Sequence, residues 1–334
     1  METEKFLKKN SKDGGFLQSK HWADFKRKEG TAVFEFGDDN SRILTIKNKL
    51  PIVGSYWYVP RGPVFQLKKT NYDSINGLIN EALKQKIGWI RVEPQREECL
   101  EVIKNAAKEH GSLPRITKSK KNHEPAQTLM VNLKESEEEI LGKMKPKTRY
   151  NIRLSEKKGV KIFESKDKKD IEKFCNLIEQ TARRDKIRPH PREHYRKMLK
   201  EINSDIIKLY LASFNGKVIA GAMIIFFGEV ATYLHGASSD EDRNVMAPYG
   251  LHWRIMKKAK ENGIKKYDLG ATKLVRNKNS YEPEKGNWQG ITRFKLGFSK
   301  ESEPTNFPGC WDIVLDEKRY SLYKILQFLK GLVR

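Results

Sequence analysis

The feature that most constrains the fold of this sequence is a β-hairpin signal in its second half. Two apolar runs, KLYLASF and KVIAGAMIIFF, flank Asn215 and Gly216. Asn-Gly is the dipeptide that best supplies the positive φ angles of a two-residue hairpin turn, which predicts adjacent antiparallel strands. Gly228 then turns the chain into VATYLHGASS, Pro248 opens a helix that ends at Gly263, and KKYDLG returns to strand. The order strand, strand, strand, helix, strand indicates an antiparallel meander followed by a helical crossover.

The same order recurs, less clearly, in the first part of the chain. Strand-like runs at Arg42 to Lys47 and Gly54 to Val59 precede a helix capped by Ser74, and WIRVEP (Trp89 to Pro94) reads as the next strand. A length of 334 residues also favours two domains. The sequence therefore predicts two related α+β units, an architecture that resembles GNAT-type acyltransferases.

Positive charge is concentrated in one region. The chain carries a formal charge of +23, and residues 145 to 200 alone hold 19 Lys and Arg against 8 Asp and Glu. Such a field attracts nucleic acid, anionic lipid or phosphorylated metabolites. On a helix from Lys147 to Lys158, the side chains of Arg149, Arg153 and Lys157 stack into a cationic stripe, with Tyr150 and Leu154 predicted to pack beside it. The stripe is either a surface that follows a phosphate backbone or a solvated helix face.

Several classes of protein are disfavoured. The N-terminal METEKFLKKN has no secretory signal, and three scattered cysteines form neither a disulfide framework nor a zinc site, which predicts a cytoplasmic protein. No His, Cys or carboxylate cluster has metal-ligand spacing, so no metal is expected. The C-terminal YSLYKILQFLKGLVR (Tyr320 to Arg334) is predicted to be a helix that packs on a core, with membrane-surface contact as the alternative.

Eight segments, taken together and in order, resemble the FemABX family of peptidoglycan aminoacyltransferases. They are FLQSKHWADFK, VPRGPV, WIRVEP, MKPKTRYNIRLSEKKGV, TARRDKIRPHPREHYRKM, YLHGASSDEDRNVMAPYGLHW, YDLG and RFKLGF, and they span Phe16 to Phe298. No heptad insertion is present, so the chain resembles the compact members that lack a coiled-coil arm.

The resemblance implies an α+β fold of two GNAT-like domains, each a twisted mixed sheet flanked by helices. Residues 1–141 plus 305–334 would form the first domain and residues 142–304 the second. It implies transfer of an amino acid from aminoacyl-tRNA, as co-substrate and without another cofactor, to the stem-peptide amine of a precursor. That precursor is UDP-MurNAc-pentapeptide or lipid II. A monomer is expected, with peripheral contact at the inner face of the plasma membrane as a further expectation.

The resemblance also assigns residues. Lys295, in RFKLGF, matches a family lysine near the reacting centre, and Lys26, in HWADFK, matches one that contacts the precursor diphosphate. The family's precursor-contacting Arg and Tyr correspond here to His190 and His194, and a family Tyr corresponds to His235. These three histidines are departures from the family pattern. The remaining candidates are Tyr195, Arg188 and Tyr249 for substrate, Glu93 and Asp268 as carboxylates, and Lys147, Arg149, Arg153 and Lys157 for tRNA.

Two rival functions differ in their sequence requirements. A coenzyme A-dependent GNAT enzyme needs a phosphate-binding loop before a helix, and RNVMAPYG, at the corresponding place, lacks that pattern. A non-catalytic RNA-binding module predicts aromatic platforms on a sheet, and no RRM signature is present. Aminoacyl transfer is therefore the favoured hypothesis.

Overall fold

The chain forms two compact units. The structure is a computed structural model that describes residues 2–69, 72–111, 114–278 and 280–332. Unit 1 comprises Met1–Ala126 and Phe307–Arg334, and unit 2 comprises Gln127–Asn306. The division falls earlier than the predicted boundary at residue 142, because the strand that begins at Gln127 pairs within the sheet of unit 2.

Unit 1 contains five helices and seven strands among its described residues. They are α1 Glu2–Asn10, α2 Lys20–Lys28, β1 Val33–Asp38, β2 Ser41–Leu50, β3 Gly54–Val59, β4 Val64–Phe65, α3 Asp73–Lys84, β5 Trp89–Val92, α4 Glu97–Glu109, β6 Arg115–Lys118, β16 Trp311–Val314 and α11 Glu317–Leu332.

The sheet of unit 1 has the order β1-β2-β3-β5-β16-β6, with β4 paired to β2. Among the described strands of this sheet, only β3 and β5 run parallel, as a helical crossover through α3 requires. One face is covered by apolar residues of α3 and α4, such as Leu78 and Ile103. The other face is covered by α11, whose Tyr320 and Tyr323 rings pack against Trp89. The C-terminal segment therefore completes the first unit.

Unit 2 contains the remaining described elements. They are β7 Gln127–Asn132, α5 Glu137–Lys143, α6 Pro146–Lys157, β8 Lys161–Ser165, α7 Lys168–Asp185, α8 Arg192–Glu201, β9 Ile207–Phe214, β10 Lys217–Phe227, β11 Val230–Ser238, α9 Ala247–Glu261, β12 Lys266–Ala271, β13 Leu274–Asn277, β14 Ser280–Pro283, α10 Gln289–Leu296 and β15 Thr305–Asn306.

The sheet of unit 2 has the order β15-β7-β12-β11-β10-β9-β8, and β11 and β12 are its parallel pair. The hairpin signal is confirmed: Asn215 and Gly216 adopt φ angles of 49° and 77° between β9 and β10. The capping box at Ser136 and Glu139 also forms, at the start of α5. Helix α9 packs on one face of this sheet and α7 on the other, where Phe174 contacts Gly221.

Some local predictions were wrong. Ser74 lies inside α3, which begins after Tyr72, and its buried hydroxyl makes no hydrogen bond within the described residues. The three cysteines are buried and unbridged. Of the predicted C-terminal helix, Val333 and Arg334 lie outside the described residues.

Candidate functional site

Lys295 is a buried cation in unit 2. It lies in the last turn of α10, and only 6% of its surface is exposed. Its Nζ donates a hydrogen bond of 2.8 Å to the carbonyl oxygen of Ala271, at the end of β12. The same nitrogen lies 5.8 Å from the ring centroid of Tyr233 on β11. Helix α10 therefore delivers an ammonium group to the end of the parallel strand pair.

Burial changes the protonation of this group. Removal from water lowers the pKa of Lys295 to about 8, while the nearby carboxylate of Asp268 opposes the shift. Lys295 thus remains mostly protonated at neutral pH but can release its proton more readily than an exposed lysine. A group with such a pKa can stabilise an oxyanion and can also donate a proton to a leaving oxygen.

Asp268 is held close to its own strand. Its Oδ1 accepts a hydrogen bond of 2.8 Å from the backbone N–H of Gly270, whose φ of 74° favours glycine. A Cβ at residue 270 would lie 3.7 Å from Lys295 Nζ and 3.2 Å from the Tyr233 carbonyl oxygen. Asp268 therefore shapes the turn beside Lys295 and supplies the negative charge that keeps the lysine protonated.

A wall of neutral rings faces the lysine. The His252 ring packs against the Tyr233 ring at 4.6 Å, and its Nδ1 lies 2.8 Å from the Tyr267 hydroxyl. Burial and the charge of Lys295 lower the pKa of His252 to about 3. Burial also raises the pKa of Tyr233 to about 12, so both side chains are uncharged at neutral pH. Sequence reasoning did not single out Tyr233 or His252 as site residues.

A β-bulge in β11 explains why Tyr233 was missed. Tyr233 pairs with Ile224 and His235 pairs with Met223, so Leu234 is an extra residue. Strict alternation would put Tyr233 and His235 on one face, but the bulge directs them to opposite faces of the sheet. Gly236 permits this arrangement, since a Cβ there would lie 1.7 Å from the Tyr233 hydroxyl oxygen.

The structure brings together four of the predicted substrate-binding residues on the other face of this sheet. The His190 and His194 rings stack at 4.3 Å, and the His235 ring lies 5.1 Å from that of Tyr195. The Tyr195 hydroxyl accepts a hydrogen bond from the backbone N–H of His190 at 3.2 Å. Burial and the neighbouring histidines lower the pKa of His235 to about 3. The three histidines of this cluster are the positions at which the sequence departs from the family pattern.

The other predicted substrate residues are on the α7–α8 loop, on α9 and on α2. Arg188 is exposed in the α7–α8 loop. Tyr249, in the first turn of α9, packs edge to face on Phe294 of α10 at 4.9 Å. Lys26, in unit 1, forms an ion pair of 2.7 Å with Glu29 and lies over the Trp22 ring at 4.8 Å.

Glu93 occupies a buried hydrogen-bond network in unit 1. Its Oε2 accepts from the Tyr58 hydroxyl at 2.5 Å, and its Oε1 accepts from the Cys310 thiol at 2.7 Å. The backbone N–H groups of His123 and Glu124 also donate to Oε1, at 3.0 and 2.9 Å. Glu93 thus ties β3, β5, the segment after β6 and the start of β16 together, which is the behaviour of a structural carboxylate.

The four candidate tRNA-binding residues lie on α6 but differ in environment. Lys147, Arg153 and Lys157 are exposed. Arg149 is half-buried, and its Nη1 donates to the carbonyl oxygen of Met144 at 2.6 Å, with longer bonds to Leu141 and Gly142. These carbonyl groups end α5, so Arg149 caps that helix.

The predicted packing role of Tyr150 was wrong. The buried residues of α6 are Thr148, Asn151, Ile152 and Ser155, whereas Tyr150 is 63% exposed. The helix packs on α9 through small side chains, because a Cβ at Gly250 would lie only 2.2 Å from Ser155 Oγ. An aromatic ring therefore stands in the cationic face, with Lys147 and Arg153 three residues away on either side.

Helix α6 begins beside the lysine-bearing helix. The backbone N–H of Lys145 donates to the carbonyl oxygen of Gly297 at 2.9 Å. A Cβ at Gly297 would lie 2.4 Å from Thr148 Oγ1, so the first turn of α6 touches the end of α10. The start of the cationic helix thus contacts Gly297, which follows Lys295 by two residues.

The sequence matches the FemAB family over residues 1–218 and 215–327. It is 24% identical to a lipid II:glycine glycyltransferase of Staphylococcus haemolyticus (strain JCSC1435), over 78% of this chain and 80% of that protein.

Two solved structures support the fold. A crystal structure of FemX superposes with a TM-score of 0.78 and 19% identity, covering 96% of this chain and 98% of the other. A tandem GNAT protein from the clavulanic acid biosynthesis pathway superposes with a TM-score of 0.50 and 10% identity, covering 85% and 83%. The prediction of two GNAT-like domains is confirmed.

Proposed function

Because this chain belongs to the FemAB family, we propose that it transfers an amino acid from aminoacyl-tRNA to the stem-peptide amine of a peptidoglycan precursor. The name of the staphylococcal relative, a lipid II:glycine glycyltransferase, supports an amino acid as the transferred group and a peptidoglycan precursor as the acceptor. In this reaction the ester bond to the tRNA ribose breaks and an amide bond forms. The amine loses a proton and the ribose oxygen gains one.

The buried ammonium of Lys295 is the observation that carries this proposal. An aminoacyl ester is already activated, so catalysis requires positioning of the amine and stabilisation of negative charge on the tetrahedral intermediate. Lys295 supplies a cation in a site with little water, where an electrostatic interaction is strongest. With a pKa of about 8, the same group can protonate the departing ribose oxygen.

The cationic face of α6 supports RNA as the carrier of the ester. The helix has 12 residues and therefore extends about 18 Å from the end of α10. Lys147, Arg153 and Lys157 lie along this length at positions suited to successive phosphates. Tyr150 offers a ring on which an unpaired base of the acceptor end can stack.

A groove continues this surface beyond α6. It has a volume of about 240 Å³ and lies between α6, β8 and α9. Val160, Ile162 and Trp253 form its apolar part, and Arg254 and Lys257 line its side on α9. Arg254 is exposed, and with Lys257 it outweighs the one lining carboxylate, Glu156, so the groove adds net positive charge to this surface.

The remaining predicted residues have proposed roles in acceptor binding and in the site's electrostatics. The histidine cluster with Tyr195 offers ring N–H and hydroxyl groups for hydrogen bonds to the precursor, and Arg188 is an exposed guanidinium nearby in sequence. Lys26 is proposed to contact the precursor diphosphate, for which it must exchange its ion pair with Glu29. Asp268 sets the charge of Lys295, whereas the network around Glu93 favours a structural role over that of a general base.

The proposal is tested by incubating the protein with a panel of charged tRNAs and either UDP-linked or lipid-linked precursor. Mass spectrometry of the products identifies the amino acid, the number added and the preferred acceptor. We expect transfer that ribonuclease abolishes. Transfer from acetyl coenzyme A in place of charged tRNA would contradict the proposal, and so would RNA binding without any turnover.

A further inference from the structure

The C-terminal helix of unit 1 has two apolar faces. Its inner face packs on the sheet through Tyr320 and Tyr323. Its outer face exposes four large apolar side chains, of which Phe328 is 65% exposed; the four are Leu322, Ile325, Phe328 and Leu329. These residues recur at helical spacing, so they form a continuous stripe along α11 rather than scattered positions.

A fifth apolar side chain is exposed by a strained turn. Ile52 lies in the β2–β3 connection, is 85% exposed and has a φ of 71°. The backbone N–H of Val53 donates to the Pro51 carbonyl oxygen at 2.8 Å, which closes a three-residue turn. This conformation is costly for a β-branched residue, and glycine would adopt it without strain. The turn therefore presents an isoleucine to solvent at the expense of stability.

The turn and α11 belong to the same face of unit 1. Val53 is part of the cluster that contains Tyr320 and Tyr323, and Leu50 and Leu326 pack against that cluster. Arg319, in the first turn of α11, lies 3.6 Å from the position of a Cβ on Gly54 and donates to the Lys86 carbonyl oxygen at 2.7 Å. We call the exposed set Ile52, Leu322, Ile325, Phe328 and Leu329 the apolar edge.

Basic residues lie beside the apolar edge. Lys49 and Lys86 are exposed near the turn, and Lys318 is exposed one helical turn before Leu322. Lys324, within the stripe, lies over the Tyr320 ring at 5.6 Å. The acidic residue at the start of α11, Glu317, is paired with Arg115. Apolar side chains with flanking cations are the pattern of a helix that lies in the interface of an anionic bilayer.

We propose that the apolar edge of unit 1 docks on the surface of an anionic membrane. None of the described helices is long and apolar enough to span a bilayer, so contact through this edge would be peripheral. Charge favours a membrane over a second copy of the chain, because two copies would bring like charges together on proteins of net charge +23. The inference does not depend on the proposed aminoacyl transfer, although a lipid-linked acceptor would benefit from it.

The experiment measures sedimentation of the full chain with lipid vesicles, without tRNA or precursor. Vesicles of phosphatidylcholine alone are compared with vesicles that also contain phosphatidylglycerol. The test variant is Phe328→Glu and the matched control is Ile187→Glu, in unit 2, where the native isoleucine is 60% exposed. We expect binding to the anionic vesicles only, weakened about ten-fold or more by Phe328→Glu and unchanged by Ile187→Glu.

A second variant distinguishes a loss of membrane binding from a loss of folding. Ile52→Gly removes an apolar side chain and relieves the strained turn, so it should raise the thermal midpoint while weakening vesicle binding. Equal binding by wild type and Phe328→Glu would overturn the proposal, as would no binding to anionic vesicles. A concentration-dependent dimer that Phe328→Glu abolishes would instead identify a second copy as the occupant of the edge and would equally overturn it.

Discussion

Replacement of Lys295 by methionine should stabilise the protein while removing the proposed catalytic cation. The side chains have similar length, but methionine carries no charge into the buried site. Burial lowers the pKa of Lys295 from 10.5 to about 8, and each pKa unit corresponds to about 1.4 kcal/mol, so the ammonium costs about 3 kcal/mol at neutral pH. Loss of the hydrogen bond to Ala271 offsets about 1 kcal/mol of the gain. The expected net increase in the free energy of unfolding is about 2 kcal/mol.

The lowered pKa of Lys295 determines how the difference in stability between wild type and Lys295→Met changes with pH. The folded-state pKa of Lys295 lies below its unfolded value, so between about pH 8 and 10.5 the unfolded chain binds a proton that the folded chain does not. Wild-type stability relative to the methionine variant should therefore rise with pH through this window. The advantage of Lys295→Met is greatest below about pH 8, falls through this window and becomes a deficit of up to about 1 kcal/mol above pH 10.5, where only the lost hydrogen bond to Ala271 remains.

Urea unfolding at a series of pH values measures this difference directly. Titrating groups that do not interact with Lys295 are common to wild type and variant and cancel in the comparison, and His252, with a pKa of about 3, does not titrate in this window. Lys273→Met, at an exposed lysine close in sequence, is the control and should follow wild type at all pH values. If the free energies of wild type and Lys295→Met stayed parallel with pH, Lys295 would titrate as an exposed lysine, and its assignment as a buried proton donor would be refuted.

Three further predictions address other parts of the molecule. Glu93→Gln should lower the free energy of unfolding by about 3 kcal/mol, because an amide cannot accept all the donors around this carboxylate; normal stability with lost turnover would instead identify a catalytic base. Arg149→Ala should lower the free energy of unfolding by about 1 kcal/mol, because it removes the cap of α5. Arg153→Ala should leave thermal stability unchanged and reduce the slope of log Kd for tRNA against log salt concentration by about one. The reverse pattern would contradict these roles. Ile52→Gly should raise the free energy of unfolding by about 1 kcal/mol in chemical denaturation, and a loss of stability would show that the turn is unstrained.

The two units place different groups after their parallel strand pairs. In unit 1, the Gln18 side chain forms hydrogen bonds with the Leu44 backbone and with the Pro60 carbonyl oxygen. Glu93, which follows β5, accepts a hydrogen bond from the Tyr58 hydroxyl. In unit 2, the corresponding end of β12 leads to Gly270 and the ammonium of Lys295. A similar strand order therefore supports a hydrogen-bonded core in one unit and a chemically competent cation in the other.

Periodicity and turn chemistry predicted the fold well where local signals agreed. The hairpin at Asn215 and Gly216, the capping box at Ser136 and the helix α6 were all confirmed, because each depends on residues close in sequence. The resemblance to the FemABX family was confirmed by the family match.

Features that depend on tertiary packing escaped sequence reasoning. The bulge at Leu234 reverses the direction of Tyr233 relative to His235, and Gly236 in the same strand is only a weak local signal of it. The close approach of Ser155 to Gly250 rotates α6 so that Tyr150 faces solvent, contrary to its apolar character. The assignment of Arg149 to tRNA could not anticipate its contacts with the end of α5.

Lys295 is proposed to catalyse transfer of an aminoacyl group carried by tRNA. The most direct test is the single-turnover rate of transfer from charged tRNA to lipid-linked or UDP-linked precursor, compared among wild type, Lys295→Met and Lys273→Met. We expect Lys295→Met to lower the rate by about a hundred-fold or more, Lys273→Met to match wild type, and ribonuclease to abolish all transfer. Full turnover by Lys295→Met, or transfer that survives ribonuclease, would contradict this proposal.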